Sequence, residues 1–411
     1  MGHHRIAGSF FLAHVIAAGA LVPGETQAQT QPQWHLVGQL ELSPGEVIGP
    51  LTVSPLGELV AGTAWNPAAR FAGRVWSTRD GLQIADLDQP FQALLEINFA
   101  QAPYDPNTLQ SSVYAHSRRE LRSWLIADGT LTGGFEFDAD MLATDALLVP
   151  YREAFFVSQE FGDLPIYSTD GEVIGAVEVD AMRPHAGLRL SEDGTLLVVD
   201  SGAFTLSTLT ANLTAPCPAP GCSEDPVQLP GSYGPYEKLL AFDARNARLA
   251  TLPEVNPERA GFQDGPFRAV AEPTIRIWSD IETWTSTTAP DLEITGFVSD
   301  VTWAQFSADG TRLLTLEDAG HLAVWDTESG RQVFRLVAVE DARVVAAHLI
   351  PNSKSLFVHW SSGVSQIVGL GQGAVEQEFP QPNADVVVSP DGQTLITYAI
   401  GEAPARVWRR R

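Results

Sequence analysis

The chain has 411 residues, of which 44% are hydrophobic, with 35 Gly, 28 Pro and 2 Cys. This is enough apolar material for a large core and enough turn formers for many short strands. With 50 acidic against 25 basic side chains the formal charge is −25, a field that repels phosphate backbones and anionic lipid surfaces and so argues against a nucleic-acid partner.

The chain opens with a basic start, MGHHR, an apolar run from Ile6 to Val22, and then PGETQA. Thr26 and Ala28 flank Gln27 as the small residues that a signal peptidase reads, so residues 1–28 are expected to be a cleaved secretory signal peptide. His14 and two Gly make the run a poor permanent span, and an uncleaved anchor is the other reading. No later segment reaches 18 consecutive apolar residues, so no membrane span is expected after cleavage. The mature chain, 29–411, is then periplasmic or secreted and is expected to be one domain.

WHLVGQLEL (34–42) reads as a spare strand ahead of a repeat. The repeat is clearest over 301–336, where VTWAQF, RLLTLE, HLAVWD and RQVFRL alternate with the turns SADG, DAG and TESG. Four strands of about six residues joined by tight Gly turns form a meander that cannot bury its faces alone. The order of pieces resembles a blade of the WD-repeat β-propeller family, with Trp325-Asp326 as the WD dipeptide.

The third-strand aromatic recurs along the chain. Taken as marker, it stands at Trp76, Trp124, Tyr167, Phe242, Trp278, Trp325 and Trp408, with Val368 filling one place. The steps are 48, 43, 75, 36, 47, 43 and 40 residues, scattered around the roughly 40–45 of a four-stranded blade except for one. Turns keep a second phase: SPLG (54–57), SEDG (191–194), SADG (307–310) and SPDG (389–392) after first strands, and RDG (79–81), ADG (127–129), TDG (169–171) and ESG (328–330) after third strands. The expected fold is therefore an all-β propeller of four-stranded antiparallel blades. Eight blades are preferred, and seven is the alternative should the poorly defined one around 259–279 merge with its neighbour. Arg411 follows a third strand directly, so the spare N-terminal strand is expected to complete the last blade and close the ring.

The regular spacing of the aromatics implies that each packs between neighbouring blades rather than forming a binding stripe. Cys217 and Cys222, within CPAPGC, are expected to form a local disulfide in an exported protein. They fall in the long step, read as an insertion at about 211–236 within one blade. In the WD-repeat family a Gly-His dipeptide precedes the first strand; Gly320-His321 follows a second strand instead, so family binding residues are not carried over. Six His remain after the signal, with no HExxH or CxxCH, and Asp138, Asp140 and Asp145 in FDADMLATD lack the Gly and Glu of a calcium loop. No metal, cofactor or catalytic residue is assigned.

Two basic clusters stand out on this acidic chain, His116-Ser117-Arg118-Arg119 with Arg122, and Arg409 to Arg411. They read as exposed strand or terminal residues, with partner docking as the alternative. Irregular loops are the stronger candidates for specificity, because a rigid ring positions its loops. These are TAWNPAARFAG (63–73) with Trp65, Arg70 and Phe71, AQAPYDPNTLQ (100–110), and 211–236 with Tyr233 and Tyr236. The reading is an exported, monomeric, non-enzymatic propeller that binds a protein partner. The alternative is an enzyme or a small-ligand or metal-binding propeller with its site at the central channel.

Overall fold

The computed structural model describes residues 33–66, 71–91, 97–99, 112–137, 141–149, 154–159, 163–177, 188–190, 196–199, 205–208, 227–228, 236–254, 273–279, 289–339, 342–352, 354–379, 385–402 and 404–411. These residues form eight four-stranded antiparallel sheets, seven of them meanders of consecutive strands. Blades 1 to 7 span 47–91, 97–136, 143–177, 188–228, 236–294, 301–336 and 344–379. Blade 8 contains Asp385–Val388, Thr394–Tyr398 and Arg406–Arg410, and its outer strand is Trp34–Gln39 from the other end of the chain. Among the described residues no helix is long and apolar enough to cross a membrane.

Burial explains the strand sequences. A second strand has a neighbouring blade on each face and is mostly apolar: Ala154–Gln159, Ser355–Trp360 and Thr394–Tyr398 are buried along almost their whole length. Outer strands face water on one side, and Leu131–Glu136 alternates between half-buried and exposed positions. First strands of blades 1 and 2, 3 and 4, 5 and 6, 6 and 7, and 8 and 1 lie beside one another along the inner wall of the ring.

Five of the third-strand aromatics, Trp76, Trp124, Tyr167, Trp325 and Trp408, share one packing rule: each inserts into the blade before its own. Trp124 of blade 2 is buried with Val75 and Leu87 of blade 1, and Tyr167 of blade 3 with Tyr114 and Phe137 of blade 2. Trp325 joins Ile277 and Phe297, ahead of its own blade 6, while Trp408 of blade 8 joins Phe357 and Phe379 of blade 7. Trp76 of blade 1 packs on Ile396 and Val407 of blade 8, which carries the rule across the join between the chain ends. Burying some 150–250 Å² per ring stabilises each joint by roughly 4–6 kcal/mol. Each indole N–H also needs a partner. Where a Thr stands two residues beyond the marker's cross-strand mate, its Oγ1 accepts the bond at 2.9 Å: Thr251 for Trp278, Thr315 for Trp325 and Thr397 for Trp408. In blade 1 that position is Gly62, and Trp76 donates to the Glu41 carbonyl at 2.7 Å.

One marker requires correction. Phe242 lies on Tyr236–Asp243, the first strand of blade 5, whose third strand is Ile275–Trp278. Phe242 and Trp278 thus belong to one blade, and the third strand that the aromatic series misses is Thr205–Thr208 of blade 4. By register Ser207 holds the marker position there, opposite Leu197, so an aromatic search passes over it. The segment 209–226, with Cys217 and Cys222, follows that strand and lies outside the described residues, as do 1–28 and the SEDG turn at 191–194.

The closing strand reaches three blades. Trp34–Gln39 pairs antiparallel with Arg406–Arg410, and the Gln377 amide of blade 7 both accepts from the Trp34 N–H (2.9 Å) and donates to its carbonyl (3.0 Å). Beyond the strand, Glu41 N–H donates to the Gly81 carbonyl of blade 1, and the buried Arg74 guanidinium holds Glu46 in a two-pronged ion pair. Gly81 has φ +81°, and a Cβ there would lie 2.2 Å from the Gln39 carbonyl oxygen, so only Gly allows this approach. Deleting residues 29–44 should lower the thermal midpoint by about 10 °C or more; calorimetry showing an unchanged midpoint would contradict closure by this strand.

Candidate functional site

The ring contains a polar cavity of about 790 Å³ at the inner wall of blades 1 to 4. First strands supply Thr52, Asn98, Asp145 and Arg189, and the turn between the second and third strands of blade 2 adds His116, Ser117 and Arg118. Three members of the first basic cluster therefore face one cavity together with a carboxylate from the FDADMLATD segment. Sequence inspection left these two groups unconnected, because they come from different blades.

Asp145 is the hub of the cavity wall. Its Oδ2 accepts the Leu188 N–H at 2.7 Å and lies 3.7 Å from Arg189 Nη1 of blade 4. Its Oδ1 accepts the Ala146 N–H at 2.8 Å and lies 3.6 Å from His116 Nε2 of blade 2. One carboxylate thus ties three blades together. Burial alone would raise its pKa, but the His116 imidazole and the Leu188 and Ala146 N–H groups outweigh that and hold it below the usual carboxylate range. His116 turns Nε2 toward the carboxylate, and its Nδ1 is buried with no partner among the described residues.

Arg118 is exposed at the cavity mouth and has no ion pair among the described residues, whereas Arg122 of the same cluster pairs with Glu120 at 2.7 Å. The second cluster is structural. Arg409 and Arg410 lie within the third strand of blade 8, and Arg411 N–H donates to the Gln33 carbonyl. Asp138 and Asp140 lie outside the described residues. Among the described residues no three His, Cys, Asp or Glu side chains group as metal ligands.

The structure separates the candidate loop residues. Trp65 and Phe71 flank the turn between the second and third strands of blade 1, half-buried, with ring centroids 5.5 Å apart. Arg70, Tyr233 and the 100–110 loop lie outside the described residues; Tyr236 begins the first strand of blade 5. His321 serves the framework: its Nδ1 accepts the Ala338 N–H at 2.9 Å.

That N–H belongs to a second notable feature. In a four-stranded meander, turns between second and third strands share one end of the ring with the connections between blades. At this end Val298, Val337, Val339, Val345 and Ile400 of blades 6 to 8 are exposed; Val337 is 63% and Val298 68% accessible. The loops are stitched to one another. Val298 and Ser299 N–H groups donate to the buried Glu317 carboxylate at 2.7 and 2.8 Å, Arg343 N–H donates to Ser361 Oγ, and Val339 and Ala342 exchange two backbone hydrogen bonds.

No family model matches the sequence, and no curated protein matches it. Solved structures do resemble the fold. The computationally designed Ika8 protein is 13% identical with a TM-score of 0.60, over 91% of this chain and 99% of that one. The C-terminal WD40 domain of Sif2 is 14% identical with a TM-score of 0.58, over 92% of this chain and 99% of that one. The chain thus has a β-propeller fold, shared with a designed protein and a WD40 domain.

Replacing Asp145 with Asn should cost about 1–3 kcal/mol at pH 7 by leaving its donors poorly matched. Because the folded pKa is depressed, the carboxylate's contribution is fully present above its ordinary value near ~3.9 and is lost as pH falls through the lower folded value. Urea midpoints of parent and D145N should therefore converge below about pH 4; a gap that stays constant down to pH 2 would contradict the clasp.

Proposed function

We propose that the chain is an exported, monomeric, non-enzymatic propeller that serves as a protein-binding scaffold, docking its partner on the loop end of blades 6 to 8. The observation carrying this reading is the set of exposed valines on loops that are hydrogen-bonded into place. Apolar side chains on pre-ordered backbone bind with little loss of conformational freedom, and exposed apolar surface of this kind marks interaction sites. The likeness to a WD40 domain supports the same reading at the level of fold. A charge of −25 favours a partner that rims an apolar patch with basic residues.

A non-enzymatic role is supported by how the cavity spends its polar groups. Asp145 accepts two backbone N–H groups and stands 3.6 and 3.7 Å from His116 Nε2 and Arg189 Nη1, so its oxygens are committed to joining the blades of the wall. Export rests on the basic start, apolar run and small residues at 26 and 28, with cleavage after Ala28.

Affinity capture from the native exported fraction tests the reading, with the mature chain expected to begin at Gln29. The bound partner should be lost from the V337D/V339D double variant and kept by V173D, which places the same charge on the outer strand of blade 3. Equal capture by the two variants, or retention of the protein in the cytosol with residues 1–28 attached, would contradict it.

A further inference from the structure

We infer that the cavity of blades 1 to 4 is a binding site for a small organic acid carrying one carboxylate. Its volume of about 790 Å³ falls within the ~300–1,000 Å³ of small-ligand pockets. The inference does not rest on the docking face, which belongs to other blades.

Charge assigns the ligand class. Among the described residues, two guanidinium groups, Arg118 and Arg189, line the cavity against one carboxylate, Asp145. That carboxylate is already taken up by the Leu188 and Ala146 N–H groups, His116 and Arg189, which leaves it little capacity to hold a cation. Arg189 uses Nη1 on Asp145 and on the Leu188 carbonyl (2.9 Å), and its side chain is otherwise 59% exposed. Arg118 has no counter-ion among the described residues. The wall therefore carries one surplus positive charge on a protein of charge −25, which matches a single carboxylate better than a doubly charged phosphate. Guanidinium presents parallel N–H groups that suit a carboxylate's two oxygens.

The remaining lining describes the rest of the molecule. Val53 and Pro55, both half-buried in the lining, offer apolar contact to a carbon skeleton, which an inorganic anion lacks. Thr52 and Asn98, themselves 3.5 Å apart at Oγ1 and Oδ1, face the same space and can bond hydroxyl groups. A hydroxylated or aromatic monocarboxylate satisfies both.

Isothermal titration of the mature chain at low salt with acetate, D-gluconate and benzoate tests this, with D-glucitol and inorganic phosphate as comparisons. At least one carboxylate should bind saturably at one per chain, and more tightly than either comparison. Arg118→Ala should weaken it at least ~tenfold, as expected for losing a charged hydrogen bond, with an unchanged melting temperature because the Arg118 side chain makes no hydrogen bond or ion pair among the described residues and its carbonyl, which accepts the Ala143 N–H, is kept. Arg189→Gln should weaken it in the same direction. No saturable heat from any of the three acids, tighter binding of phosphate or glucitol, or unchanged affinity in R118A would each overturn the inference.

Discussion

Pairing of the chain's two ends in one sheet is the constraint on which the ring rests. A blade has two apolar faces and can bury neither alone, so it persists only between neighbours. Blade 8 would be an open edge without Trp34–Gln39 on its outer side. The same segment touches blade 7 through Gln377 and blade 1 through Glu41 and Glu46, so closure unites three blades rather than adding a strand to one. Once the ring is closed, five of the marker aromatics can each bury against the preceding blade, Trp76 included, whose preceding blade is the last in sequence.

Magnitudes rank the contributions. A buried indole joint contributes several kcal/mol, whereas its hydrogen bond to Thr nets only about 0.5–1.5 kcal/mol. The bond matters for orientation: it fixes how Trp278, Trp325 and Trp408 lie, and a different acceptor serves Trp76. Blade 4 has Ser207 in the marker position. It is also where the Asp145 clasp reaches over through Leu188 and Arg189, so polar bonds join blade 3 to a blade whose marker is not aromatic. The cavity lies at that place, whereas blades 6 to 8 combine regular packing with an apolar loop end.

Much of the architecture was legible because blade geometry imposes it on local sequence. Gly310, at φ +71°, stands where SADG demands a turn, and the four strands of 301–336 fall where their apolar runs place them. The closing strand was legible as a strand without a partner at one end and a missing strand at the other. The failure at Phe242 has a physical cause. LAFDA has the local pattern of a third strand, apolar residues then an aromatic and Asp, yet its hairpin partner Arg248–Glu254 pairs on its other side with the distant Ile275–Trp278, which makes it a first strand. Thr205–Thr208 carries no aromatic, so nothing local marks its role. The cavity was not legible at all: His116, Asp145 and Arg189 meet only because the end of a second strand in blade 2 and the first strands of blades 3 and 4 share one wall.

Amide hydrogen exchange across the Trp34–Gln39 and Arg406–Arg410 pair tests the central claim most directly. A terminal strand held only at its own edge frays and exchanges quickly, whereas one that locks the ring opens only with the ring. Protection of residues 34–39 equal to that of Thr394–Tyr398 in the centre of blade 8 is the predicted result. Exchange there at the rate of an unpaired terminus, while the blade centre stays protected, would contradict closure by the chain ends.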